Sequence, residues 1–193
     1  ATLVSANLAQ ASLTKAILNG ANLSKADLES ADLTEADLTN TILTDANLKK
    51  IMLMRATLSG SNLSGANLES GNLSDATLSG SNLTKARLSG ANLTNADLSD
   101  ATLQSANLRG ATLRGANLSR VNLASADLTR AILRRAILVG ADLTNTKLKD
   151  VDWKGADLTD VDLSGSRLTK SDLGNTVLCG TLVPWGEENG GCK

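Results

Sequence analysis

Six arginines fall within residues 109–135 (Arg109, Arg114, Arg120, Arg130, Arg134 and Arg135) against a single acid, Asp127. That is a local charge of +5 in a chain whose net charge is −1. A guanidinium forks onto a carboxylate or phosphate through two parallel hydrogen bonds. The cluster, extended by Lys149 and Lys154, is therefore the best candidate surface for an acidic protein partner or an anionic ligand. The plainer reading is a charged, solvated exterior. No aromatic residue is interleaved with these bases, so the stacking platforms that hold single-stranded nucleic acid are missing and no nucleic-acid partner is expected. Asp27, Glu29, Asp32, Glu35, Asp37 and Asp45 form the opposite case, with no base between residues 27 and 45. They read either as an acidic recognition patch or as solvated surface.

Catalytic chemistry has little to work with. The chain has no His, which removes imidazole acid–base catalysis. Ser, Asp and Lys abound, but they recur at regular intervals rather than converging as one constellation. Cys179 and Cys192 alone, with no His, cannot complete a metal site. No catalytic residue, cofactor or metal is expected.

The elements that must position these side chains follow from one period. Read in fives from Ala1, Leu stands in the third place of every block from Leu3 to Leu178 except at Trp153, giving 35 leucines in 36 blocks. The first place is Ala in 24 of those blocks, the second is usually Asp or Asn, and the fourth is often Ser or Thr. A fixed period of this kind marks a repeat architecture. An α-helix advances about 140° over five residues, which scatters the leucines around its axis. A β-strand sends odd steps to opposite faces. A chain that turns a corner once per block collects the first and third places inside and leaves the other three outside. Stacked coils about 4.8 Å apart then pair their backbones. This is a β-solenoid.

Blocks such as Ala31-Asp32-Leu33-Thr34-Glu35 and Ala91-Asn92-Leu93-Thr94-Asn95 resemble the A(D/N)LXX pattern of the pentapeptide-repeat family, and the resemblance runs from residue 1 to about 180. It implies an all-β, right-handed quadrilateral β-helix with four blocks per coil. That makes about nine coils and a rod roughly 43 Å long. Each coil buries four leucines, worth roughly 1.5–3 kcal/mol apiece. Positions twenty apart then share a face, so Arg114, Arg134 and Lys154 form one column and Arg109 and Lys149 another, with Arg130 and Arg135 nearby. In Ile51-Met52-Leu53-Met54-Arg55 the two methionines take outward places, as an adaptable contact site or a local packing irregularity. Trp153 reads as packing that distends one coil or sits at a corner.

The segment Leu178-Cys179-Gly180-Thr181…Pro184…Gly191-Cys192 resembles the closing segment of cyanobacterial and plant thylakoid-lumen members. That resemblance implies a Cys179–Cys192 disulfide, worth roughly 3 kcal/mol on the chain-entropy account. Two reduced thiols are the other reading. A bridge would suit an oxidising compartment, periplasm or thylakoid lumen, whereas reduced thiols would suit the cytoplasm.

Residues 1–180 are expected to form the β-helix, and 181–193 a turn-rich capping loop that Pro184 starts by removing an amide. No run of 18 apolar residues occurs, so no membrane insertion by a helix is expected. The start at Ala1, in register and without Met, fits a removed targeting segment, a removed domain or a trimmed chain. The expected role is a non-enzymatic rigid scaffold that docks an unknown protein partner, as a monomer or weakly self-associating rod. The alternative within the family is a DNA-mimicking inhibitor of type II topoisomerase. Near-neutral charge, the Arg cluster, the absence of Phe and a Pro/Gly-rich tail all depart from that type.

Overall fold

A computed structural model describes residues 1–192. Its regularity is easiest to see by asking where the five backbone amides of a block go. The first-place N–H closes a turn onto the third-place carbonyl of the block before, as Ala26 does to Leu23 at 3.0 Å. The second-place N–H reaches back one coil (Asn22 to Ala1, 2.9 Å), and the third reaches forward one (Leu23 to Ile42, 2.7 Å). The fifth also reaches forward (Lys25 to Thr44, 2.9 Å). The fourth is taken by the block's own second-place side chain: the amide of Ser24 donates to Asn22 Oδ1 at 3.0 Å, and that of Thr34 to Asp32 Oδ1 at 2.9 Å. This Asx turn is why the second place favours Asp and Asn. Every amide of such a block has a partner.

Second-place residues pair in parallel with the residue twenty later, from Thr2 with Asn22 through Ile137 with Asp157 without a gap. The chain is thus an all-β rod, a β-helix, with no helix among the described residues. Every fifth place from Ser5 to Asp160 has positive φ, between 54° and 71°. That is the turn conformation β-branched residues avoid, and none of those places holds Val, Ile or Thr.

First-place Ala and third-place Leu form a continuous buried column from Ala21 to Leu143. Hydroxyls that replace Ala inside are satisfied by nearby carbonyls: Thr41 donates to Leu18 O at 3.0 Å, Ser61 to Leu58 O and Ser81 to Leu78 O, both at 2.7 Å. Ile51, the only first-place Ile, is matched one coil later by Gly71, the only first-place Gly. A Cβ on Gly71 would lie 3.1 Å from Ile51 Cγ2, so the missing side chain makes room for the larger one.

Among the described residues the ladder opens once. Asp142, Lys147 and Asp152 pair with the preceding coil but not with Asp162, Arg167 and Asp172, whereas Asp157–Val177 and Asp162–Leu182 pair again. Trp153, 2% exposed, lies in the first of the two separated coils. An indole exceeds the Leu it replaces in a core whose coil spacing is fixed by backbone pairing, and the leucines of this stretch lose cover: Leu148 and Leu168 are half-buried. In the second coil the fifth places Gly165, Lys170 and Asn175 no longer have positive φ.

The tail expected as a loop is a β-hairpin, with β1 (Leu178–Val183) antiparallel to β2 (Gly186–Gly190). The reason is that the ladder continues past residue 180. Leu163 N–H donates to Leu182 O at 2.6 Å, and Thr181 and Val183 occupy buried first and third places. Pro184, exposed, follows the last of these and begins the turn. Trp185 packs against the core, its indole N–H donating to Glu188 at 2.7 Å. The ammonium of Lys170 sits 5.9 Å from its ring, within cation–π range. A Cys179–Cys192 disulfide ties the hairpin to itself.

Candidate anion-binding face

The fourth place of a block projects from the rod next to a turn, so a base there presents its charge clear of the core. Arg114, Arg134 and Lys154 hold this place in three successive coils, and Arg135 holds the adjoining fifth place. Together with Gly155 and Asn175 they line one open groove of about 380 Å³. A Cβ on Gly155 would lie 3.5 Å from Arg135 Cγ, so the glycine leaves that space free.

Not all the bases are available. Arg134 Nε donates to Asp152 Oδ2 at 2.5 Å. Burial pushes the Asp152 carboxyl up, but the Arg134 hydrogen bond, the Lys154 amide and the two positive charges hold it below the usual carboxylate range. Arg109 pairs with Asp127 at 3.2 Å, and Lys147 approaches the same carboxylate at 3.7 Å. Burial also pushes Asp127 up, and the bonds from Thr129 and Arg109 bring it below its ordinary value. Arg120 holds Asp100 with two bonds of 2.7 Å, and Arg130 lies 3.9 Å from Asp150. Among the described residues Arg114, Arg135, Lys149 and Lys154 make no ion pair. The structure thus divides the cluster. Arg114, Arg135 and Lys154 gather as unpaired charge in the groove, Arg109 and Arg130 are engaged by acids elsewhere, and Lys149 stands outside the groove.

The other candidate surfaces carry less. Met52 is exposed and Met54 half-buried, and Met52 pairs between Asp32 and Asn72, so no contiguous apolar patch forms around it. In the acidic stretch, Glu35 lies between Arg55 and Lys15, whose bonds and charges hold it below its ordinary value. Asp32 and Asp37 are lowered by hydrogen bonds from the hydroxyl and amide of Thr34 and Thr39. Those carboxylates serve the turns. Sequence reasoning missed both this internal use and the open ladder beside the groove. The signal for the second was Trp153, the one break in the Leu column.

No helix among the described residues is long and apolar enough to cross a membrane. A cleft lined with unpaired guanidinium and ammonium groups can bind anions. It offers no nucleophile–base pair for covalent chemistry.

The family model described as pentapeptide repeats matches residues 1–29, 21–60, 31–69, 61–100, 72–110, 96–135 and 136–175. No curated protein shows significant sequence similarity. Among solved structures the chain is similar to HetL, a pentapeptide repeat protein involved in heterocyst differentiation regulation from the cyanobacterium Nostoc sp. strain PCC 7120. That match has 35% identity, covers 80% of this chain and 84% of the other, and has a TM-score of 0.33. A pentapeptide repeat protein from the Arabidopsis thaliana thylakoid lumen is 34% identical over 53% of this chain and 65% of its own, with a TM-score of 0.26. QnrB1, a plasmid-mediated fluoroquinolone resistance protein, is 19% identical over 79% of this chain and 81% of its own, with a TM-score of 0.44.

Proposed function

This chain belongs to the pentapeptide-repeat family, and from that premise we propose that it is a non-enzymatic rigid rod that docks an acidic protein partner through its Arg114, Arg135 and Lys154 face. The rod is a right-handed quadrilateral β-helix of about nine coils, one for each twenty-residue step of the pairing. The observation that carries the docking role is the groove itself: three cations with no ion pair among the described residues, carried on a paired backbone, on a chain whose net charge is −1. The paired backbone fixes where these side chains emerge, and their clustered charge favours recognition of a complementary acidic surface. The disulfide supports residence in an oxidising compartment.

The DNA-mimic reading has less support. A mimic needs uninterrupted negative charge, and here Glu35 is countered by Lys15 and Arg55 while four bases line the groove.

Binding of a fluorescein-labelled octaglutamate peptide, followed by anisotropy, tests the docking face. We expect affinity that falls steeply with salt and drops about tenfold or more in Arg114→Ala/Arg135→Ala/Lys154→Ala. Equal affinity of the variant and the parent would remove this face from the function.

A further inference from the structure

The break in the ladder lies against the basic groove, and it leaves backbone donors unused. One coil earlier, Leu123, Ser125, Leu128, Arg130 and Leu133 donate to carbonyls of the next coil at 2.8–2.9 Å. Their counterparts Leu143, Asn145, Leu148, Asp150 and Trp153 have no acceptor among the described residues. The seam is closed at both ends, by Gly140 N–H to Thr159 O at 2.9 Å and by Gly155 N–H to Asn175 O at 2.8 Å. On its Trp153 side lies a cavity of about 340 Å³, lined by Trp153, Lys154, Asp172, Gly174 and Asn175 among others. It shares Lys154 and Asn175 with the basic groove. The Trp153 indole N–H is the one buried side-chain polar atom among the described residues with no partner.

The charges around this side are unequal in availability. Asp150 is engaged by Arg130, Asp152 by Arg134, and Asp172 by the amide and hydroxyl of Thr169. Among the described residues Arg114, Arg135, Lys149 and Lys154 have no ion pair. The place therefore combines unpaired N–H donors along an extended backbone edge with excess positive charge beside it.

We propose that the Trp153 side of the seam is an acceptor site for a short extended segment of an acidic partner protein. The segment's carbonyls take hydrogen bonds from the Asp150 and Trp153 amides. Its carboxylates, pointing the same way at alternate residues, meet Arg114, Arg135 and Lys154. This rests on reading the basic face as a docking surface for acidic protein. It adds that the partner is read through its backbone as well as its charge.

The test uses the full chain, isotopically labelled, with the probe acetyl-Glu-Val-Glu-Val-Glu-amide and, separately, inorganic phosphate. Two Trp are present, so the Trp153 indole N–H resonance is assigned by its loss in Trp153→Phe. We expect the peptide to shift that resonance, a buried reporter in the cavity wall, and to slow exchange of the Asp150 and Trp153 amides. If the peptide binds but the indole and both amides are unchanged, the seam proposal fails and the basic face stands. If phosphate reproduces every change, the seam is a simple anion site and the proposal is overturned. If the peptide does not bind at all, both readings fall.

Discussion

Residues 21–140 and residues 141–175 are written in the same five-residue pattern, yet they behave differently once stacked. In the first stretch every second-place residue pairs with its counterpart twenty later. In the second, three successive pairs are missing, and amides such as those of Leu143, Leu148 and Trp153 lose their acceptors. The blocks of the second stretch still carry Leu, Asp and small residues in their usual places. The difference teaches that a block is not a folding unit on its own. Its turn, its pairing and its burial are all supplied by the coils on either side. Where one indole holds a neighbour off, the next ten residues settle locally instead, as Thr169 and Asp172 do by bonding each other at 2.6–2.7 Å.

The largest test of this contrast places a charge inside each region. Leu93→Asp buries a carboxylate with no partner in the regular stack and should cost on the order of 4–5 kcal/mol, abolishing cooperative unfolding in a thermal melt. Leu168→Asp, in a half-buried place beside the seam, should cost less than half as much. Equal losses would mean that the seam is packed as tightly as the stack. Next in size is the tail. Cys179→Ser/Cys192→Ser should remove roughly 3 kcal/mol on the chain-entropy account. Hydrogen exchange should locate the loss at Leu158, Leu163 and Leu182 while the amides of Leu23–Leu138 keep their protection. A loss spread evenly along the rod would contradict nearest-neighbour stability.

Smaller, and opposite in sign, is the effect of restoring the repeat. Trp153→Leu should let the separated coils close and raise the melting temperature by a few degrees, for a gain of about 1 kcal/mol. The amides of Leu143 and Leu148 should then exchange as slowly as those of Leu123 and Leu128. If they stay fast, the indole is not what holds the seam open.

The mildest lever is pH. Asp32 and Asp37 in the regular stack, and Asp162 and Asp172 at the seam, all have carboxyls held below their ordinary value by Thr or Ser hydroxyls and the adjoining amides. A depressed folded pKa gives stability that is complete above the unfolded value near 4 and is lost as pH falls through the folded one. Melting temperature should therefore be flat from pH 7 to about 5 and decline below about 4. Asp37→Asn keeps a side-chain acceptor for the Thr39 amide and should reduce that decline while leaving the pH 7 melt nearly unchanged.

Much of this was legible in the residues. The Leu column and the small first place gave the solenoid, and the resemblance to the family gave twenty residues per coil, which the pairing from Thr2 to Asp157 follows. The fifth place looked merely variable, although its lack of Val, Ile and Thr already recorded the positive φ it must adopt. Gly71 opposite Ile51 was legible in the same way, as a hole matched to a bulge twenty residues earlier. The seam was not. Ser166–Asn175 fits the repeat nearly as well as its neighbours do, and what it loses is a contact made by another coil. The hairpin was hidden for a related reason. Gly186–Gly190 has weak strand preference of its own, and its pairing comes from the extended strand that the ladder imposes on Leu178–Val183.

The twenty-residue pairing also separates two kinds of change in length. Removing one block, for instance Val121–Ser125, leaves Ala and Leu inside and every turn intact, because blocks are interchangeable at the level of the core. It nevertheless shifts everything downstream by a quarter of a coil. Arg134 and Lys154 would then stand over a different side from Arg114, and the groove would vanish from a rod that still folds. Removing four blocks together would keep the alignment. Surface pattern in this protein is thus a matter of phase, which a core-neutral deletion can rewrite in a single step.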